Sequence, residues 1–190
     1  MRVLLVVHGY PPAANGGTEV YTRNLAHALA ALPHTGVAIL AREFDPARPD
    51  LALRRGRDGS LPLFGINNTF TAASTFEESY SNPVLLEAAA PVSAVVPPDV
   101  VHVQHLTCLS TGIPAAAARR GIPVVLTLND YWLLCHRGQL FDLDHRRCGG
   151  PFDGGCARCI PPSSLAAGRL ARGGRLVRAL GPPGAAAVTF

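Results

Sequence analysis

Lysine is missing from this chain: all 17 basic residues are arginine. That excludes any site built on an ε-ammonium group. The bias itself follows from a GC-rich coding sequence and is silent about mechanism. Arginine is the better planar partner for phosphate, so a phosphorylated ligand stays in play. Charge is scarce as well, at 16% of residues with a net charge of +4. A balance that modest permits an anionic ligand or an acidic membrane surface and requires neither; no nucleic-acid partner is expected. No apolar run approaches the roughly 20 residues of a membrane span. The opening MRVLLVV is too short for a signal-peptide core, and Pro11-Pro12 follows it in place of a small-residue cleavage site. A cytoplasmic location is therefore expected, where disulfides are uncommon.

What the chain does have is 48% hydrophobic residues over 190 positions. This suits one well-formed core and falls short of two full domains. Residues 3–7 form a continuous β-branched and leucine run, as a parallel strand buried on both faces reads. A loop over 8–18 follows. From Glu19 the period turns helical, placing Tyr21, Leu25, Ala28, Leu29 and Leu32 on one face, with Thr18 as N-cap. GVAILA (36–41) is a second strand, which completes a βαβ unit. Residues 42–62 read as loop or peripheral hairpin and 61–66 as a strand. A helix interrupted by Pro83 and Pro91 comes next. Strands at 100–104 and 124–128 flank a helix that Ser110 could cap and Gly121 ends. Strands alternating with helices predict a Rossmann-like, doubly wound, mostly parallel α/β sheet. In such sheets the ligand crevice lies beyond the carboxyl ends of the strands. Here those ends lead into His8-Gly9, His105 and Asn129-Asp130.

Gly16-Gly17, between a strand and a helix, suits backbone N–H groups approaching an anion. It equally suits a turn that needs positive φ. The pattern is neither GxGxxG nor a P-loop. PPAANGGTEVYTRNLAHALA resembles the opening of family 4 retaining glycosyltransferases of the GT-B fold. DVVHVQHL and GIPVVLTLNDYW resemble two further strands of that family, and DYWLLCHRGQL a subgroup with a cysteine-rich loop. The resemblance covers about residues 1–160, the acceptor-side half of such an enzyme, with the cysteine-rich loop at 130–160 and an Arg-rich helix and tail at 161–190. It implies that Gly16, Gly17 and Thr18 lie near the diphosphate of a nucleotide-sugar donor. Glu19, Asn129 and Asp130 would lie toward a hydroxyl acceptor, glycan or lipid-linked, and His105 would be the catalytic side chain. A buried, backbone-bonded histidine is the plainer reading of His105. Relatives often carry His where this chain has Asn129, and an amide cannot carry a proton as imidazole does. No catalytic cofactor is implied. The donor-binding half is expected to lie outside these 190 residues, so the chain alone is expected to be inactive. It would then be a fragment, a frameshifted product, one subunit of a split enzyme with a separate donor-domain chain, or a stand-alone binding domain.

Cys135, Cys148, Cys156 and Cys159 form C-x12-C-x7-C-x2-C in a glycine-rich stretch, with Cys108 apart. Four thiols ending in CxxC suit a tetrahedral structural zinc, with His136 and His145 as spare ligands. Disulfides and free thiols are the alternatives. Arg169, Arg172, Arg175 and Arg178 fall on one helical stripe. It reads as a solvated face, or as a contact with the inner face of the membrane. Tyr131 and Trp132 suit stacking on a sugar ring or ordinary core packing.

Overall fold

The computed structural model describes residues 1–71, 77–135, 137–151 and 156–159. The chain divides into two units, Met1–Asn129 and Asp130–Phe190. The first unit is built in the order β1 (Arg2–Val7), α1 (Gly17–Ala30), β2 (Gly36–Glu43), β3 (Leu53–Asp58), β4 (Leu61–Asn67), α2 (Pro83–Val95), β5 (Val100–Val103), α3 (Gly112–Arg119) and β6 (Val124–Leu126). These strands make one sheet in the order β3-β4-β2-β1-β5-β6. Every pairing is parallel except the β3–β4 hairpin. The fold is Rossmann-like α/β, as expected.

The apolar run of β1 becomes the centre of the sheet because it has two hydrophobic faces to bury. Leu5, Val6 and Val7 are fully enclosed. Val3, Leu5 and Val7 pack with Val37, Ile39, Ala41 and Ala26 under α1.

The helices depart from expectation in instructive ways. α1 starts at Gly17, and its N-cap is Gly16 rather than Thr18. Thr18 lies in the first turn, where its carbonyl accepts the Thr22 hydroxyl at 2.6 Å. The buried face is Glu19, Thr22 and Ala26, rotated by about one residue from the Tyr21-Leu32 stripe. Tyr21 and Leu32 are exposed, and Leu25 and Leu29 flank the contact. Small side chains let the helix lie close to the sheet, so hydrophobicity alone misplaces its face. α2 begins at Pro83, whose missing N–H is harmless at a helix start. Asn82 caps it, its side-chain oxygen accepting from Leu85 N–H at 3.0 Å. The helix then runs through Pro91, which sits on the exposed side where water can serve the carbonyl that Pro91 leaves unbonded. Asn82 N–H and Gly112 N–H both donate to Ser110 Oγ, so Ser110 serves the start of α3 although Thr111 holds the N-cap position. Among the described residues no helix is long and apolar enough to cross a membrane.

Candidate functional site

β1 sends its crossover through α1 to β2 on one side, and β5 sends its own through α3 to β6 on the other. Right-handed crossovers then place α1 and α3 on opposite faces of the sheet. The gap between β1 and β5 is the topological switch point, where doubly wound folds bind ligands.

Beyond the ends of these two strands, His8 and His105 meet. Their rings are 4.1 Å apart between centroids, tilted by 48°. His8 Nε2 lies 3.1 Å from Glu19 Oε1. His105 is 3% exposed, and its Nδ1 accepts the Thr107 N–H at 3.1 Å. An accepting Nδ1 leaves the proton of the neutral imidazole on Nε2, so the backbone sets the tautomer. His105 is therefore both the buried, backbone-bonded residue of the plainer reading and a member of the strand-end cluster.

Glu19 is a buried member of this cluster. Expected beside the acceptor, it is 7% exposed, and its carboxylate fills the inside of the loop before α1. A Cβ at Gly16 would stand 2.5 Å from Glu19 Oε2. A Cβ at Gly9 would stand 2.8 Å from Ala14 Cβ and 3.2 Å from Glu19 Oε1. Neither Gly16 nor Gly17 has positive φ, so the turn explanation of the pair fails. Gly16 is small to admit the carboxylate. Gly17 has nothing within 4 Å of its missing Cβ, and both glycines are exposed. No side chain caps α1, so its first N–H groups remain the donors of an ordinary anion-binding helix end.

On the β5 side, Asn129 Nδ2 donates to the Gln104 carbonyl at 3.0 Å, which fixes the amide at the strand end. The Gln104 side chain is fully buried, and among the described residues neither of its amide atoms has a hydrogen-bond partner. Leaving a buried amide unpaired costs about 1–3 kcal/mol. Gln104→Leu is accordingly expected to raise stability by about 1 kcal/mol, read from urea unfolding midpoints. A loss of stability would show that the amide is satisfied in solution.

Composition gave no hint of a second anchor. Asp58, at the end of β3, accepts from Tyr10 Oη at 3.0 Å and from Arg23 Nε at 2.8 Å, and lies 2.8 Å from His27 Nε2. The Arg23 bond, helped by His27 and Tyr10 and opposed by burial, holds this carboxyl well below the usual carboxylate range. Burial, together with Asp58, pushes the Tyr10 hydroxyl well above its ordinary value. Tyr10 ties the glycine loop to the hairpin. The only sequence signal was an Arg and a His four residues apart on α1.

In the second unit, Asp130 Oδ1 accepts the Trp132 N–H at 2.9 Å. Its other oxygen lies against Gly138, 2.9 Å from where a Cβ would stand. That carboxylate shapes its own turn. Tyr131 is exposed and Trp132 partly so. An open cleft of about 370 Å³ is lined by Tyr131, Phe141, Leu140, Gln139, Arg147 and Cys148. All five cysteines are free. Among the described residues, no three His, Cys, Asp or Glu side chains stand close enough to hold a metal, so the four thiols are not assembled into a cage. His136 and the Arg169–Arg178 stripe lie outside the described residues.

Residues 15–178 match the model of Glycosyltransferase Family 4. No relative among curated proteins matches the chain. A solved structure titled OtsA apo structure is similar over 65% of this chain and 32% of that one, at 15% identity and a TM-score of 0.35. The chain thus spans about a third of the length of that structure, and a likeness this slight transfers no residue roles.

Proposed function

This chain belongs to glycosyltransferase family 4, and from that premise we propose that its first strand, loop and helix bind the diphosphate of a nucleotide-sugar donor. The complete enzyme would pass the sugar to a hydroxyl acceptor with retention. The observation that carries this reading is the start of α1, where exposed glycines front an uncapped helix N-terminus beside the His8–His105 pair.

The available groups suit positioning better than proton transfer. Asn129 is an amide. His105 Nδ1 already accepts a backbone N–H. The acceptor proton is therefore assigned to an oxygen of the leaving diphosphate, while N–H donors of the glycine loop stabilise the charge that grows there. The remaining donor contacts belong to a second half, further along the polypeptide or on a separate chain, and residues 1–190 alone are proposed to turn over little or no sugar nucleotide.

The test uses proline chemistry. Gly17 is the first residue of α1, where proline is tolerated, and Gly16 is already extended (φ −72°, ψ 174°) as a residue before proline must be. Gly17→Pro deletes one N–H and keeps the helix. Titrating UDP and ADP onto the wild-type chain should shift the amide signals of residues 16–19. In Gly17→Pro, binding should weaken about tenfold with unchanged circular dichroism. Amide signals that never move with either nucleotide would overturn the reading.

A further inference from the structure

Arg42, near the end of β2, is a cation without an anion. Alternation along the strand sets where it points. Ala41 packs with Val7 and Ile39 in the core under α1, so Arg42 turns to the other face of the sheet and Glu43 turns back. Glu43 has room there because Gly65 on β4 carries no side chain to meet its carboxylate. Arg48 and Arg54 pair with it. The nearest carboxylate in sequence is thus engaged on the opposite face, and among the described residues none pairs with Arg42. The other arginines of the first unit without a carboxylate partner, Arg55, Arg57, Arg119 and Arg120, are exposed to water. Arg42 is half-buried. A partly desolvated charge needs compensation.

The compensation it has fixes its orientation. Arg42 Nε and Nη2 both donate to the Asn68 carbonyl, at 3.1 and 2.8 Å. Asn68 is itself 4% exposed and anchored. Its N–H donates to the Glu43 carbonyl at 3.0 Å, and its Nδ2 donates to the Cys108 carbonyl at 2.8 Å. Its Oδ1 accepts the Phe70 N–H at 2.9 Å, in a turn where Phe70 takes φ +65°. The guanidinium carbon of Arg42 lies 5.9 Å from the Phe70 ring centroid and 5.0 Å from that of Phe44. A ring face attracts a cation without cancelling its charge. One edge of the guanidinium, Nε with Nη2, is occupied. Nη1 has no partner among the described residues. With the second N–H of Nη2 it forms an edge that can grip a carboxylate or phosphate through two parallel hydrogen bonds.

Arg42 also stands at the ligand-binding end of the sheet. Val7 pairs with Ala41, so His8 and Arg42 leave adjacent strands at the same level. The crevice beyond these ends is where a doubly wound fold receives ligands. We propose that Arg42 binds an oxyanion carried by the acceptor, a carboxylate or a phosphate, through the open edge of its guanidinium. The hydroxyl that takes the sugar is then held at a fixed distance from that anchor. A neutral acceptor is disfavoured because it leaves the cation unpaired. The anion site stands on Arg42 and its frame, while its assignment to the acceptor rests on the glycosyl-transfer reading.

The experiment follows the Arg42 Nε–H and the Phe70 amide in NMR spectra of the whole chain without nucleotide. Glucuronate presents a carboxylate on a sugar, glucose 6-phosphate a phosphate, and methyl glucoside neither. At least one of the two anions should shift both signals saturably, and the tighter one identifies the group. Methyl glucoside should shift neither at the same concentrations. Arg42→Gln should weaken the anion at least about tenfold. Arg42→Lys keeps the charge but not the fork, and should recover only part of the affinity. UDP binding, read at the amides of residues 16–19, should change by less than about twofold in both variants. Arg42 and Phe70 signals that neither anion moves in the wild-type chain would overturn the proposal, and this result needs no variant to fold. Unchanged anion affinity in Arg42→Gln would overturn it too. So would an equal loss of UDP, which would place Arg42 in the donor site. Nucleotides that never move residues 16–19 count against the glycosyl-transfer reading and leave the anion site at Arg42 standing, so the two failures are told apart.

Discussion

Gly16→Ala is expected to lower stability by about 2 kcal/mol, within the range for overfilled interiors, while Gly17→Ala leaves it unchanged or raises it by about 0.5 kcal/mol. The two glycines are neighbours in the same exposed loop, and their backbones are ordinary. Gly16 is extended and Gly17 is helical. Conformational freedom therefore cannot separate them, and the difference is Glu19. A methyl group on Gly16 would sit 2.5 Å from Glu19 Oε2, whereas one on Gly17 meets nothing. The carboxylate has little room to yield. Its side chain is about 10% exposed, and leaving its place breaks the 3.1 Å pairing with His8. Urea unfolding of both variants, with unchanged slope, gives the comparison. A double-mutant cycle with Glu19→Ala sharpens it, because most of the cost of Gly16→Ala should disappear once the carboxylate is gone, leaving only the poorer helix-capping of alanine. Equal effects at the two glycines would refute the assignment. The same displacement releases His8, so Gly16→Ala should also disturb its tilted ring contact with His105, visible as a shift of both imidazole signals.

The loop that admits this carboxylate was legible only in part. Strand, glycine loop and helix could be read from the run at residues 3–7 and the change of period after it, since buried parallel strands and amphipathic helices have distinct patterns. The order of the strands follows once β1 is recognised as central. Which face of α1 meets the sheet did not follow. Tyr21, Leu25, Ala28, Leu29 and Leu32 satisfy a helical period, but the sheet accepts Thr22 and Ala26 because they are small, and Glu19 because two glycines make space for it. A single sequence records glycine and glutamate three residues apart without recording that one accommodates the other. β3 was hidden for a related reason. Leu53–Asp58 is an edge strand whose arginines face water or Glu43, so its composition reads as loop. The strand ends at His8, His105 and Asn129 could be named in advance because the topology places ligands there whatever the family. Gln104 could not, since a buried unpaired amide looks like any polar residue near a strand end. The cysteine pattern was plain as well, but spacing alone does not show that Cys148 pairs with Leu140 across a hairpin while Cys156 and Cys159 lie on one 3-10 turn.

Asp58→Ala should lower stability by about 2–3 kcal/mol at pH 7, chiefly through the Tyr10 hydroxyl. Tyr10 is 5% exposed, and without Asp58 its O–H is a buried donor that has lost this acceptor. Arg23 and His27 are about half exposed, so their lost ion pairs contribute little once water screens them. The pH dependence identifies the cause. Asp58 has a folded pKa below its unfolded value, so its contribution is fully present above about pH 4 and fades as acidity rises through the folded pKa. The wild-type chain should therefore lose stability below about pH 4 faster than the variant does, and the gap between them should narrow. Tyr10→Phe, which removes the donor together with its need for a partner, should cost about 1 kcal/mol. In the Tyr10→Phe background, Asp58→Ala should cost correspondingly less. Denaturant melts of the four proteins at neutral pH and near pH 3 test both statements. A gap that stays constant with pH would place the stabilisation outside the Asp58 charge. If the gap behaves as expected, the glycine loop is held from two sides, by Glu19 within it and by Asp58 through Tyr10. The N–H donors at the start of α1 would then be positioned before any ligand arrives, as a site that stabilises developing charge requires.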